Sequence, residues 1–384
     1  WNTAHTLYIE LDIESLVHSL EAFIKLDIEI VFLCLSNKEI SFKNLFEALK
    51  PFQINFYFIF HFIPKCKHLD EMESKILNKN KYFFLFDPIT TLAKTGDWLI
   101  DQKTDLNHLV KLINSQKKSV PIYVDTRIYQ NAGATIPQQL SYGMSLAVDY
   151  ITLLESSSID EVEFLFHLAL GSNYFFEIAK IQALKTVFTQ ITSIYNLRIS
   201  FKIIAEPSKR NMTLQDYNTN MLRTTTAVMS AILGGADIIN NIAYDSIINP
   251  PNSFGSRMAQ NQLLILKNES YFDQVVNPIE GSYYIGKITE DFAELSLKNF
   301  KSLESHGGFL NALLNGKIQK EIQASAEKEE SLFDSGNLIL IGTNKYQDHE
   351  APKTAINLKT TKIFKTGIIQ PIIEKRLAEK TENS

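Results

Sequence analysis

Eight short runs rich in β-branched and aromatic residues, spread widely along 384 residues, limit the folds open to this chain more than any other feature. They are Thr6–Leu11, Glu29–Leu35, Ile54–Phe62, Tyr82–Phe86, Val120–Asp125, Glu163–Leu170, Ser200–Ala205 and Ala236–Asn241. Runs of this kind read as strands, and most are separated by stretches of helical period. Ser15, Val17, Leu20, Phe23 and Ile24 form one amphipathic face between the first two runs. Tyr174, Phe175, Ile178, Ile181, Leu184, Val187, Phe188 and Ile191 recur at steps of three and four, with Asn173 in place as an N-cap. A third helix is predicted from about Leu214 to Leu233, stopped by Gly234-Gly235. Strands alternating with helices pair in parallel, because a parallel connection needs a long crossover. Eight is the number that closes a (β/α)8 TIM barrel, although periodicity alone leaves an open doubly wound sheet as the alternative.

Beyond the eighth run, Asn261–Leu266, Phe292–Phe300 and Leu310–Ala324 continue as helices wrapped outside the barrel. Lys345–Thr361 is polar, carries Pro352 and reads as a linker, and Lys375–Ser384 reads as a solvated charged tail. The expected division is a barrel with its wrapping helices over 1–345 and a linker and tail over 346–384.

Charge narrows the partners. Lys and Arg number 38 against 43 Asp and Glu, a net charge of −5, so there is no basic footprint for nucleic acid and no polybasic membrane patch. The most apolar run, Ile54–Ile63, is about half the length a membrane span requires. Two cysteines, Cys34 and Cys66, supply neither a disulfide framework nor a four-ligand zinc site. They read as buried small hydrophobes in a reducing compartment, which points to the cytoplasm. The first residue is Trp1 rather than Met, so no targeting segment is read from that end.

Bottom-up chemistry is sparse. The eight histidines show no HExxH or other metal-ligand spacing; His61 and His167 lie inside strand runs and read as hydrogen-bonded core or lumen residues. Phosphate-loop and nucleophile-elbow motifs are missing, and Gly133 and Gly234-Gly235 read as turn glycines. Asp87 and Asp125 end strand runs, on the face where barrels carry active sites. Capping the next helix is the plainer role for both. No nucleophile, acid–base dyad or metal cluster emerges.

Several segments nevertheless carry a family signature in order along the chain. They include Asp87-Pro88-Ile89 with Leu92-Ala93-Lys94-Thr95-Gly96-Asp97-Trp98, and Asp125-Thr126-Arg127-Ile128-Tyr129-Gln130-Asn131-Ala132-Gly133-Ala134. Gly171-Ser172-Asn173-Tyr174-Phe175-Phe176-Glu177-Ile178-Ala179-Lys180 and Asn220-Met221-Leu222-Arg223-Thr224-Thr225-Thr226 follow. Arg257-Met258-Ala259-Gln260-Asn261-Gln262 and Pro278-Ile279-Glu280-Gly281-Ser282-Tyr283-Tyr284 complete the set. Together they resemble the barrel domain of the methylmalonyl-CoA mutase family, its small companion subunit above all.

The resemblance implies a barrel belonging to an adenosylcobalamin-dependent isomerase of methylmalonyl-CoA and succinyl-CoA, a complex of propionate metabolism. It also implies three departures from the catalytic pattern. The cobalt-ligating Asp-x-His-x-x-Gly motif does not occur, and Asp348-His349-Glu350 has the wrong spacing. Ile128 stands where catalytic subunits carry the active-site His, and no counterpart aligns with the family's N-terminal Tyr or its carboxylate-gripping Arg. Catalytic lumens are lined with small hydroxyl side chains, whereas the run Asn55–Phe62 is bulky on both faces, and Phe83, Phe84, Phe86, Phe164 and Phe166 repeat the effect. The expectation is a non-catalytic small subunit without catalytic, cofactor-binding or metal residues of its own. It would pair as a heterodimer with a catalytic large subunit that carries the adenosylcobalamin, with acyl-CoA binding by this chain itself doubtful and left open. The alternatives are an active acyl-CoA isomerase barrel that uses a cobalamin domain in trans, and a barrel that binds an acyl-CoA as a regulator. Helix-facing aromatics such as Tyr271, Phe272, Tyr283 and Tyr284 are candidates for a docking patch, with local core packing as the competing explanation.

Overall fold

A parallel sheet buried on both faces needs strands that are apolar throughout, and the eight predicted runs have that character. In a computed structural model, which describes residues 1–9, 13–24, 28–35, 41–60, 82–115, 121–155, 159–347 and 367–382, all eight form strands. The chain runs β1 (Asn2–Ile9), α1 (Ile13–Ile24), β2 (Ile30–Leu35), α2 (Phe42–Leu49), β3 (Asn55–Phe60), β4 (Tyr82–Leu85), α3 (Pro88–Thr95) and α4 (Gln102–Ser115). It continues through β5 (Pro121–Asp125), α5 (Arg127–Asn131), α6 (Ile136–Leu154), β6 (Glu161–Leu170), α7 (Tyr174–Thr192), β7 (Arg198–Pro207), α8 (Thr219–Gly234) and β8 (Ile238–Asn240). Outside lie α9 (Ser253–Leu264) with a π-helical turn at Ile265–Glu269, α10 (Tyr283–Glu304), α11 (Gly308–Leu314), α12 (Lys317–Asp334) and α13 (Glu379–Glu382).

The strands pair in parallel in the order β4-β3-β2-β1-β8-β7-β6-β5, a nearly closed (β/α)8 barrel. The remaining seam, β4 against β5, carries no ladder among the described residues. Side chains stitch it instead. Asp87 Oδ2 accepts from Asp125 N at 2.9 Å, Thr90 Oγ1 donates to Asp125 O at 3.3 Å, and Lys94 reaches Asp125 at 2.7 Å. Asp87 is also the N-cap of α3, accepting from Thr90 N at 2.8 Å, so the capping role foreseen for it holds, with the stitch added.

Strand alternation splits the apolar residues into two cores. Facing the helices, Phe58 and Phe84 pack on Phe46 of α2, and Phe164 and Phe166 pack on Phe188 of α7. Facing inward are Ile30, Phe32, Cys34, Tyr57, Ile59, Phe83, Leu85, Tyr123, Leu165, Ile204 and Ile238. The expectation that rings fill the lumen is therefore corrected in its membership. Phe83 and Tyr57 point inward, but Phe84, Phe86, Phe164 and Phe166 belong to the outer core. Cross-strand register dictates the split, since Phe32, Tyr57 and Phe83 are paired neighbours and share a face.

Other differences are local. Helix α8 starts at Thr219, not Leu214, because Asn220 Oδ1 accepts from Thr213 N at 3.0 Å and holds the preceding residues in a loop. Its end is as predicted, with Gly235 in the left-handed conformation at φ 82°. The run Leu310–Ala324 is broken at Asn315-Gly316 into α11 and α12. Asn173 caps α7, accepting from Phe176 N at 3.3 Å.

The charged C-terminal segment lies against the barrel over 367–382 rather than standing off as a tail, with Lys375 and Lys380 still exposed. Residues 367–382 run across the C-terminal ends of the barrel, with Ile369 N bonded to Gly96 O, Ile372 N to Ala93 O, Lys375 N to Asn131 O and Leu377 N to Arg210 O. Ile369, Ile372, Leu377 and Ala378 are buried, and the charges that suggested a tail pair with the barrel or with each other: Lys375 with Glu330, Lys380 with Asp334, and Arg376 with Glu382. Residues 348–361 of the predicted linker, with His61, Cys66 and Asp348-His349-Glu350, lie outside the described residues.

Asp87→Ala removes the acceptor for three buried donors, Thr90 N, Asp125 N and Tyr150 OH. It is expected to lower unfolding free energy by about 3–5 kcal/mol, while Tyr150→Phe lowers it by about 1 kcal/mol. Urea unfolding of the two variants beside the parent checks the ratio.

Candidate functional site

In a (β/α)8 barrel the C-terminal strand ends carry whatever chemistry there is. Here that face holds a buried ionic cluster. Asp125 ends β5, Arg127 opens α5, Glu206 lies one residue before the end of β7 and Asn240 ends β8. The guanidinium of Arg127 forks onto Asp125, Nε to Oδ1 at 2.8 Å and Nη2 to Oδ2 at 2.9 Å. Its Nη1 donates to Glu206 Oε1 at 3.0 Å. Asn240 Nδ2 donates to Glu206 Oε2 at 2.6 Å and to Thr6 Oγ1 at 2.9 Å. Lys94 approaches Asp125 from the rim, its side chain 32% exposed against 5% for Asp125.

Below the ions the lumen is bridged by rings. Phe83 stacks on Tyr57 at 4.5 Å, Tyr57 meets Phe32 at 5.4 Å, and Phe32 lies parallel to His167 at 5.8 Å. The Tyr123 hydroxyl is 2.7 Å from His167 Nδ1, which completes a belt from β4 to β5 across the barrel. His167 is thus a hydrogen-bonded lumen histidine, as its place in an apolar run suggested. Its Nε2 lies 3.3 Å from Glu206 Oε2 without meeting hydrogen-bond geometry. At the opposite, N-terminal end, Lys202 pairs with Glu163 at 2.8 Å.

The electrostatics leave little to titrate near neutral pH. Burial would raise the Asp125 carboxyl, but Arg127 and then Lys94 overcome it and hold Asp125 well below the usual range. Glu206 is likewise held down against its burial, chiefly by Arg127. Burial, with Arg127 alongside, lowers His167, so the ring is neutral. Burial lifts the Tyr123 phenol, and it pushes the Cys34 thiol up to about 12. Both carboxylates are committed to one guanidinium, and none of these groups is poised as a general acid or base.

The remaining sequence candidates fall elsewhere. Ile128 is fully buried in the helix-side core. Gly133, at φ 96°, allows the chain to pass Arg210 and Ala326, where a Cβ would sit under 3 Å from both. Arg223, near the start of α8, forms no salt bridge among the described residues. It donates to Thr213, Thr219 and Asn220 side chains and to Ile341 O, tying residues 339–346 to α8. Strand-end position marks Asp125 in the sequence but not Arg127, Glu206, Tyr123 or Lys94; the signal the sequence holds is an Asp-x-Arg pair and a Glu-Pro at strand ends, Asp125–Arg127 and Glu206-Pro207.

Among the described residues the mouth offers no exposed histidine to ligate a cobalt. Of the described histidines only His167 lies there, and it is fully buried, with Nδ1 on the Tyr123 hydroxyl and Nε2 3.3 Å from Glu206 Oε2. Among the described residues no group of three or more His, Cys, Asp or Glu is placed to hold a metal. Surface hollows of about 440 Å³, between α7 and α10, and about 560 Å³, beside Asp149 and Glu304, lie outside the barrel.

Fold and site define an acid-and-arginine-plugged (β/α)8 barrel with a filled lumen. The chain belongs to the methylmalonyl-CoA mutase family, whose family model matches residues 82–381. It is 35% identical over 225 residues to the methylmalonyl-CoA mutase small subunit of Porphyromonas gingivalis, covering 56% of this chain and 36% of that one. It is 30% identical over 226 residues to the methylmalonyl-CoA mutase of Cereibacter sphaeroides, covering 57% and 32%. Against the large subunit of Propionibacterium freudenreichii subsp. shermanii it is 29% identical over 244 residues, covering 61% and 34%. The matched part spans about a third of the length of these relatives.

Arg127→Met leaves Asp125 and Glu206 buried without their shared counter-charge, with an expected loss of about 3–5 kcal/mol in urea unfolding. Both carboxyls titrate below their unfolded values, so in the parent their stabilisation is complete above about pH 5 and is lost as pH falls further. In Arg127→Met that acid-limb loss shrinks, which a pH series of unfolding midpoints reads directly.

Proposed function

We propose that this chain is a non-catalytic companion subunit of an adenosylcobalamin-dependent methylmalonyl-CoA mutase, a barrel that pairs with a catalytic large subunit and stabilises it. The observation that carries the reading is the plug. An acyl-CoA threaded along the barrel axis would have to displace the Phe83–Tyr57–Phe32–His167 belt and pass the Asp125–Arg127–Glu206 cluster. Breaking such a buried ionic network costs several kcal/mol before any ligand contact is made. Ile128, at the position the family resemblance gives to the active-site His, has no proton to donate to a thioester carbonyl. The histidine environment described above supports placing the cobalamin on the partner.

Relatives named as small and as large subunits support a two-subunit complex. The barrel unit takes in residues 1–345, and the packing of 367–382 attaches that part of the C-terminal segment to it. A buried, unpaired Cys34 agrees with a reducing, cytoplasmic setting, and no described helix is long and apolar enough to cross a membrane.

Mutase turnover, measured with adenosylcobalamin and methylmalonyl-CoA, is expected from the mixture with a large subunit and not from this chain alone. Calorimetric titration of the chain with methylmalonyl-CoA is expected to give no heat of binding. Turnover by this chain supplied only with an isolated cobalamin domain would sink the proposal.

A further inference from the structure

Residues 270–282 form a loop with its own hydrogen bonds, Gln274 N to Tyr271 O and Ser282 N to Ile279 O, and lead into Tyr283 and Tyr284 at the start of α10, yet they bury little. Val276 is 102% exposed, Tyr283 96% and Tyr271 64%, with Val275 and Tyr284 also exposed. Phe175 of α7 extends the surface, its ring edge-on to Tyr284 at 5.7 Å. Core packing accounts for Phe272, which packs against the main core, and not for the others. Tyr271 is held at φ 55°, a left-handed conformation that costs a tyrosine free energy and turns its ring outward. An ordered apolar and aromatic surface of this kind marks an interaction site.

The charge of this stretch of chain selects the partner. From Ser270 to Glu294 the chain carries Asp273, Glu280, Glu290, Asp291 and Glu294 against one lysine, Lys287, which is itself paired with Glu290 and Asp291. A second copy of this chain would bring the same acids face to face. A face with apolar pockets ringed by Lys and Arg complements it.

We propose that Phe175, Tyr271, Val275, Val276, Tyr283 and Tyr284, on a stretch of chain rich in carboxylates, are the docking surface for a basic face of the large subunit. This rests on the companion-subunit reading. The aromatic side chains are the anchors and the acids set approach and register, so association weakens with salt while the anchors govern dissociation.

The test is the affinity of the full chain for a large subunit, measured by calorimetry at low and high salt. Val276→Glu with Tyr283→Glu alters two side chains that are almost wholly exposed, so its thermal unfolding should match the parent. Its Kd is expected to rise ~100-fold or more, and Asp273→Lys with Glu280→Lys to raise Kd ~10-fold and flatten the salt dependence. Unchanged affinity in the Val276/Tyr283 variant, with the parent binding normally, would overturn this surface and leave the companion reading standing. A parent that does not bind any large subunit overturns the companion reading itself. A parent that pairs with itself, through a contact the variant abolishes, overturns the large subunit as occupant.

Discussion

One guanidinium sets the character of this barrel. Among the described residues Arg127 is the only cation between Asp125 and Glu206 at the centre of the mouth, with Lys94 reaching Asp125 from the rim. Taking three charges out of water is expensive, and the mutual attraction repays it only when geometry and remaining hydrogen bonds are satisfied. The fork on Asp125, the Asn240 and Thr6 contacts and the Tyr123 hydroxyl supply those bonds. Apolar residues of equal volume would close the mouth at no lower stability. What the ions add is definition, because a planar fork accepts its two partners in one arrangement and so fixes β5, β7 and α5 relative to one another.

That arrangement depends on the layer beneath it. An eight-stranded barrel has an interior just wide enough for side chains to fill. The belt from Phe83 to Tyr123 uses large rings, so fewer side chains are needed and the ions above sit on a floor that excludes water. The low polarity of that floor keeps His167 neutral and the Tyr123 phenol protonated, and both rings then serve as hydrogen-bonding spacers. Emptying the lumen of rings would therefore also loosen the ionic cluster.

Much of the architecture was legible because strand and helix periods differ so strongly. The eight apolar runs and the i, i+3, i+4 pattern of α7 with Asn173 as its cap lead directly to the elements observed. The face each strand residue takes was less legible. In β3 and β4 both faces are aromatic, so alternation fixes that Tyr57 and Phe58 point oppositely without saying which is inside; only the pairing register decides it. The site was harder still. Arg127 and Glu206 are 79 residues apart, and nothing local in either segment marks them as partners. Lys375–Glu382 misled for a related reason: isolated apolar residues among charges carry no period, yet Leu377 and Ala378 are buried with Phe333 and Leu340.

The C-terminal segment bears on what kind of barrel this is. In barrel enzymes the loops after the strands supply both catalytic groups and the motions that admit substrate. Here the loops following β4, β5 and β7 are each tied by backbone hydrogen bonds to residues 367–382, through Gly96, Asn131 and Arg210. Arg210, fully buried, also donates to Lys375 O and to Glu329 of α12, so the segment is locked between the rim and the outer helices. Opening the mouth would require breaking the seam stitch at Asp87, the fork at Arg127 and this lacing together. Each interaction is modest, but they share residues: Asp125 belongs to both stitch and fork, and Asn131 closes α5, which Arg127 opens. A rim coupled in this way favours a fixed outer shape over access to the interior.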